Sequence, residues 1–220
     1  MGEITIEPSE RARRYAASIA PYIDPAPVLV VISGPSGVGK DSVIERMRQR
    51  AMPFHFVVTT TDRAPRPSEV DGVDYDFVSA DRFQEMIAQD AFFEHAFVYR
   101  QYKGVPKAQV RVALATGTDV VMRLDVQGAE TVKKKVPEAI SIFVMAPSLD
   151  ALVQRLSRRG SDSPEQVERR LRVALSEMEC ISSFDYVVVN RDGELDSAVD
   201  RIVAIMDAVK SRTRRREIVV

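Results

Sequence analysis

Val28-Leu29-Val30-Val31-Ile32-Ser33-Gly34-Pro35-Ser36-Gly37-Val38-Gly39-Lys40-Asp41-Ser42 is the stretch whose reading decides the fold. Its first five residues are apolar and four of them are β-branched, the pattern of a strand covered on both faces in a parallel sheet. Gly34 to Gly39 breaks the run, and Lys40 to Arg50 then reads as a helix. The turn matches G-x-x-x-x-G-K, a phosphate-binding loop. Its glycines let successive backbone N–H groups point inward at phosphate oxygens, and the helix that follows adds its positive end. Lys40 would reach the outer phosphates.

Apolar runs recur on both sides of this unit, at Phe54–Val58, Asp119–Leu124, Ile140–Met145 and Tyr186–Val189. Helical patterns lie between or after them, over Pro106–Ala115, Gln127–Lys135, Leu149–Arg158, Pro164–Cys180 and Leu195–Lys210. Such alternation predicts an α/β fold, a parallel sheet of about five strands with flanking helices. Two segments interrupt it. Residues 60–104 carry strand-like pieces at Tyr75–Val78 and Phe93–Tyr99 around a helix at Ser79–Gln89, a small α+β insert. Residues 156–165 form a polar, arginine-bearing joint between two helices, the composition of a helical lid. Residues 1–26 read as an N-terminal extension with a helix at Ser9–Ala20 and a connector at Pro21, Pro25 and Pro27. The core is then 27–59 together with 105–220.

Composition narrows the function classes. The 220 residues hold 31 basic and 32 acidic side chains, and a net charge of -1 argues against nucleic acid as a partner. No apolar stretch approaches the length of a membrane span, and residues 1–26 lack the apolar core of a secretory signal. A single cysteine, Cys180, excludes an internal disulfide, and two histidines make a His-rich zinc site unsupported. This cysteine usage fits a reducing compartment, so a cytoplasmic location is expected, and the chain is expected to be a monomer or homodimer. Arginine outnumbers lysine 24 to 7, which genome composition explains unless the arginines gather at phosphate positions.

Several further stretches stand in a telling order: Arg63-Ala64-Pro65-Arg66-Pro67, Asp71-Gly72-Val73-Asp74-Tyr75-Asp76-Phe77-Val78, Phe93-Glu94-His95-Ala96, Leu124-Asp125-Val126-Gln127-Gly128-Ala129 and Val187-Val188-Val189-Asn190. Together with the phosphate loop they resemble the guanylate kinase family, in its order and spacing, over residues 28–208. Gly39-Lys40-Asp41, Tyr102-Lys103-Gly104-Val105-Pro106 and Arg123-Leu124-Asp125 are similar to the plant organellar branch in particular. The resemblance implies the nucleoside monophosphate kinase fold and the reaction ATP + GMP = ADP + GDP, part of purine nucleotide metabolism, with Mg²⁺ as cofactor.

It also implies roles. Gly34, Pro35, Ser36, Gly37, Val38, Gly39, Lys40, Asp41 and Ser42 would hold the ATP phosphates, and Asn190 would lie on the adenine side. Glu94 would accept hydrogen bonds from guanine N1–H and the exocyclic amine, a pair adenine cannot offer. Thr59 would meet guanine O6, and Arg63 and Arg66, with Tyr75, would clamp the GMP phosphate. Arg159 and Arg170 fall on the arginines that bridge donor and acceptor phosphates, with Arg155 and Arg158 as neighbours. Residues 60–104 would be the GMP-binding subdomain.

Besides Thr59, which stands where the family usually has a serine, four positions depart from the family's common pattern. Asp41 stands where a Mg²⁺-binding hydroxyl is usual, and a carboxylate there can ligate the cation directly or through a water. Lys103 replaces a phosphate-binding tyrosine, and Val105 replaces a hydroxyl that meets the guanine amine. Arg123 replaces the first acid of an Asp-x-Asp pair; Asp125, the second, would contact the guanine or organise the Mg²⁺ waters. Two other readings stand beside the main one: a kinase of the same fold acting on ribose 1,5-bisphosphate, and a non-catalytic interaction domain that binds partner proteins.

Overall fold

The computed structural model describes residues 9–65, 69–98, 101–157, 164–213 and 218. A five-stranded sheet forms its centre, built from β1 (Leu29–Ser33), β2 (Phe54–Phe56), β7 (Asp119–Arg123), β8 (Ile140–Met145) and β9 (Tyr186–Val189). The spatial order is β2-β7-β1-β8-β9 and every pairing is parallel. The β1 strand is buried at all five positions because helices cover both faces. Val30 and Ile32 point into one core with Val43, Met47, Leu152, Leu156, Ile202 and Met206. Leu29 and Val31 point into the other with Val110, Met122, Ala129 and Val132. That alternation assigns α2 (Lys40–Gln49), α6 (Leu149–Ser157) and α8 (Leu195–Lys210) to the first face. The second face takes α4 (Lys107–Ala115) and α5 (Val126–Lys135).

A second sheet occupies the interrupting segment. It has the order β4-β3-β6-β5, from β3 (Thr60–Thr61), β4 (Asp76–Phe77), β5 (Phe92–Val98) and β6 (Gln101–Pro106). The pairs β5–β6 and β3–β6 are antiparallel, while β3–β4 is parallel. Across this sheet lies α3 (Ala80–Ala88), whose Phe83 is fully buried and stacks on Phe92 and Tyr102 at centroid distances of 4.5 and 5.2 Å. Gly104 lets Phe92 lie flat on β6, because a Cβ there would stand 2.7 Å from the ring.

The sequence reading misses β3 and β6 altogether. Thr60-Thr61 is too short to show alternation, and Gln101–Pro106 mixes a lysine, a glycine and a proline. Tertiary pairing makes them strands, not their own propensity. Pro106 was expected to open a helix but ends β6, and α4 begins at Lys107. The first helix, α1 (Glu10–Ile23), runs through Pro21 instead of stopping at Ala20. Pro21 lies in the last turn, where one lost N–H is tolerable, and the Asp24 N–H still closes on the Ala20 carbonyl at 3.0 Å. The expected helix over Pro164–Cys180 divides into α7 (Pro164–Met178) and a 3₁₀ turn at Glu179–Ser183. Most of the expected lid joint, 158–163, lies outside the described residues, as do Arg66, Arg158 and Arg159. No described helix is long and apolar enough to cross a membrane.

Candidate functional site

The site lies beyond the C-terminal ends of the central strands, the usual crevice of an open α/β sheet. The phosphate loop leaves β1 and enters α2 with Gly34, Gly37 and Gly39 at φ of 133°, 89° and 93°. Gly34 admits nothing larger than hydrogen, since a Cβ would lie 2.1 Å from the Val144 carbonyl oxygen of β8. Gly39, in the left-handed N-cap of α2, is equally confined: a Cβ would meet Asn190 Nδ2 at 2.4 Å.

The loop is braced from beneath. Asn190 Nδ2 donates to the Val38 carbonyl at 2.9 Å, and its own N–H donates to Met145 O at 2.9 Å. Arg155 donates to Val38 O at 3.2 Å and Asn190 O at 2.8 Å while bonding Asp192 at 2.7 Å. Asn190, buried and aimed at the loop backbone, acts in this structure as a strut. Arg170 of α7 reaches Ser36 Oγ at 3.1 Å, so α7 touches the loop directly.

Lys40 is folded back onto the loop, its ammonium donating to Gly34 O and, at 2.9 Å, to Pro35 O. Burial holds its pKa below the usual lysine value, and Glu177, the strongest opposing group, pulls it back up. Glu177 itself is pushed up by burial, against Lys40 and a hydrogen bond from the Ser36 backbone N–H. Its Oε2 is buried with no hydrogen-bond partner among the described residues. Lys40, Glu177 and the loop amides form a charge-dense, partly dry nest that gains from a multiply charged anion.

Facing the loop is a cavity of about 270 Å³ lined by Lys40, Asp41, Thr59, Tyr75, Glu94, Lys103, Arg123 and Asp125. Ala96 and Leu124 complete the lining, so seven of its ten residues carry ionisable side chains, and they come from both sheets. Glu94, on β5, is half-buried; burial first, and the nearby Asp125 second, raise its pKa to about 7 despite Lys135. Gly128 brings the α5 backbone close, because a Cβ there would stand 3.3 Å from Glu94 Cδ. Asp125 caps α5 by accepting from Gly128 N–H at 2.7 Å. Thr59, on the cavity wall, accepts from Asp76 N–H at 3.0 Å through its carbonyl.

Tyr75 gathers cations. Arg63, Lys103 and Arg123 lie 4.9, 5.7 and 5.9 Å from its ring centroid. Arg63 is bidentate to Glu69, both contacts 2.6 Å, with the two side chains 11% and 14% exposed. Arg123 pairs with Asp41 at 2.6 Å. Val105, by contrast, is buried in the core behind the sheet and contributes nothing to the cavity wall.

The structure therefore brings together Thr59, Tyr75, Glu94, Lys103 and Asp125 around one cavity, with the phosphate loop opposite, and places Arg63 over the Tyr75 ring outside the cavity lining. Glu69 and Glu177 are site residues that the sequence reading left out. Neither carries a signal in the sequence: Glu69 is one acid in a polar stretch, and Glu177 is one of several acids on an amphipathic helix. Among the described residues no group of three or more His, Cys, Asp or Glu side chains could hold a metal by itself.

The guanylate kinase family model matches residues 27–209. The chain is 46% identical to guanylate kinase 2, chloroplastic/mitochondrial, of Oryza sativa subsp. japonica over 195 residues, 88% of this chain and 68% of that one. It is 44% identical to the guanylate kinase of Gloeobacter violaceus, covering 90% and 91%, and 41% identical to that of Desulfitobacterium hafniense, covering 86% and 94%. In three dimensions it is similar to the crystal structure of guanylate kinase from Anaplasma phagocytophilum, with a TM-score of 0.67, 30% identity, and 86% and 88% of the two chains covered. On its fold, its phosphate loop and these matches, the chain belongs to the guanylate kinase family.

Proposed function

We propose that this chain transfers the γ-phosphoryl group of ATP to the phosphate of GMP, giving ADP and GDP. The observation that carries the reading is the shared cavity: Lys40 from the donor loop and Glu94 from the second sheet open onto one space. The donor phosphates lie along the loop amides and the N-terminus of α2, with Lys40 exchanging its two carbonyl acceptors for phosphate oxygens. On the acceptor side, ionised Glu94 takes the N1–H and amine of guanine, and Thr59 donates to O6. Arg63, Arg66 and Tyr75 hold the acceptor phosphate, with Lys103 beside them. Asp125 stays at its cap and faces the base. Residues 60–104 act as the acceptor-binding unit and 156–165 as the lid.

The attacking group is a phosphate oxygen that is already anionic at neutral pH, so no general base is needed. One bond forms between it and the γ-phosphorus while the bond to the β,γ-bridging oxygen breaks. Repulsion between the two anions is the obstacle, and positive charge placed between them is the remedy. Lys40 and Arg170 supply it from the described residues, and Arg159 is assigned the same task.

Mg²⁺ fits the donor set. Such a cation is commonly held by one or two carboxylates together with substrate phosphates and waters. Asp41, next to Lys40 with a 63% exposed side chain, can provide that carboxylate, and Asp125 can order waters. When bound, the ion would neutralise charge on the outer phosphate oxygens.

ADP release measured with GMP, dGMP, IMP, AMP and ribose 1,5-bisphosphate tests the reading. Turnover with GMP and none with AMP is the expected result. Turnover with the bisphosphate and none with GMP would replace guanylate kinase by a sugar-phosphate kinase of the same fold.

A further inference from the structure

Asp41 and Arg123 are both unusual for their positions, and the fold puts them in contact across 82 residues of chain. Asp41 opens α2 and Arg123 ends β7, so both stand at the crevice edge. Arg123 Nη1 donates to Asp41 Oδ1 at 2.6 Å, and its Nη2 lies 3.4 Å from the Tyr75 hydroxyl. One guanidinium thus spans the gap between the donor loop and the tyrosine assigned to the acceptor phosphate.

The charges around Tyr75 say what is missing. Arg63, Lys103 and Arg123 crowd one ring within 6 Å. Arg63 is matched by Glu69, nearly buried, in a geometry that would hold it in place. Arg123 reaches the Tyr75 hydroxyl and pairs at the rim with Asp41, whose carboxylate is mostly in water, while Arg123 is 31% exposed. An ion pair that wet is worth a factor of about five at most. A phosphate dianion, offering several acceptor oxygens in a half-enclosed cavity, binds a planar guanidinium more strongly.

We infer that Arg123 is a binding residue for the acceptor nucleotide's phosphate, held in reserve by Asp41. When the acceptor enters, Arg123 turns from Asp41 to the phosphate beside Tyr75, and Asp41 is released toward the donor side, where a cation with the donor phosphates can take it. The exchange explains why a carboxylate and an arginine occupy positions where the family commonly has a hydroxyl and a carboxylate: each is the other's partner until substrate arrives. The inference rests on the acceptor site assigned above.

Calorimetric binding to the full chain, without ATP or Mg²⁺, separates the two. Arg123→Gln should weaken GMP by about tenfold to a hundredfold, the effect of one lost charged hydrogen-bonding group. Guanosine, which lacks the phosphate, should bind wild type and variant equally. Asp41→Ser should tighten GMP by up to about fivefold, because it removes the competing carboxylate. Equal GMP affinity in wild type and Arg123→Gln overturns the inference alone, as does an equal loss for GMP and guanosine. Unchanged or weaker GMP binding in Asp41→Ser overturns the exchange. A wild-type chain that binds no GMP overturns both this inference and the site on which it rests.

Discussion

The phosphate loop and the cavity proposed for the acceptor meet at Lys40 and Asp41 but are built in opposite ways. The loop is a backbone device: its ligand groups are N–H donors, its shape comes from glycines at positive φ, and buried partners such as Asn190 and Arg155 brace it. The cavity is a side-chain device, with charges delivered by β3 to β7 and their loops and stored in pairs such as Arg63–Glu69 and Arg123–Asp41. A backbone site is preorganised and costs little to fill. A paired-charge site must exchange partners on filling, and its specificity depends on protonation and on which pair gives way.

Lys40→Ala should break the donor half most severely. Its ammonium is the one side-chain cation that the loop itself contributes, and turnover should fall by about a thousandfold or more, the scale of losing a principal charge stabiliser. Circular dichroism and the thermal midpoint should stay close to wild type, because among the described residues Lys40 hydrogen-bonds loop carbonyls and packs against no core side chain that its loss would expose. Turnover within tenfold of wild type would remove Lys40 from the reaction.

Gly34→Ala tests the backbone half in a different currency. A Cβ 2.1 Å from the Val144 carbonyl cannot be accommodated without moving β8 or the loop, and the residue would also keep an unfavourable φ of 133°. A loss of about 2–4 kcal/mol in denaturant unfolding is expected. An unchanged midpoint would mean that the loop shifts freely, against the rigidity argued for it.

Glu94 offers the mildest and most selective probe of the other half. Burial, then Asp125, raise its carboxyl to about 7, so near neutral pH a large fraction carries a proton that guanine recognition must remove. Binding favours the ionised form, so affinity should climb as pH rises through about 7 and level off above it. Between pH 8 and pH 6 the affinity for guanosine, free of any phosphate titration, should fall by about tenfold. A flat profile would show that the base is read elsewhere.

The same contrast explains what was legible in the sequence. The loop could be read because every part of it is contiguous: strand, glycines, lysine, helix. The residues proposed for the acceptor, Thr59, Arg63, Tyr75, Glu94, Lys103 and Asp125, could be named only through family resemblance, since no spacing among them implies a common site. Strands β3 and β6 escaped notice because their conformation depends on pairing with distant segments. Glu69 and Glu177 were missed because an acid on a polar loop or helix looks the same whether it faces water or a buried cation.

By itself the sequence determined a parallel α/β core, the position of the glycine-rich loop between strand and helix, and the identity of its lysine, because local backbone geometry and hydrophobic period are written in consecutive residues. The order of the strands determined the rest. It set β7 beside β1, and so brought Arg123 to Asp41 and Tyr75. It also set the end of β9 beneath the loop, turning Asn190 into a brace. Contacts between charges far apart in the chain depend on which strand ends are neighbours, and hydrophobic burial of both sheet faces settles that before any charge finds its partner.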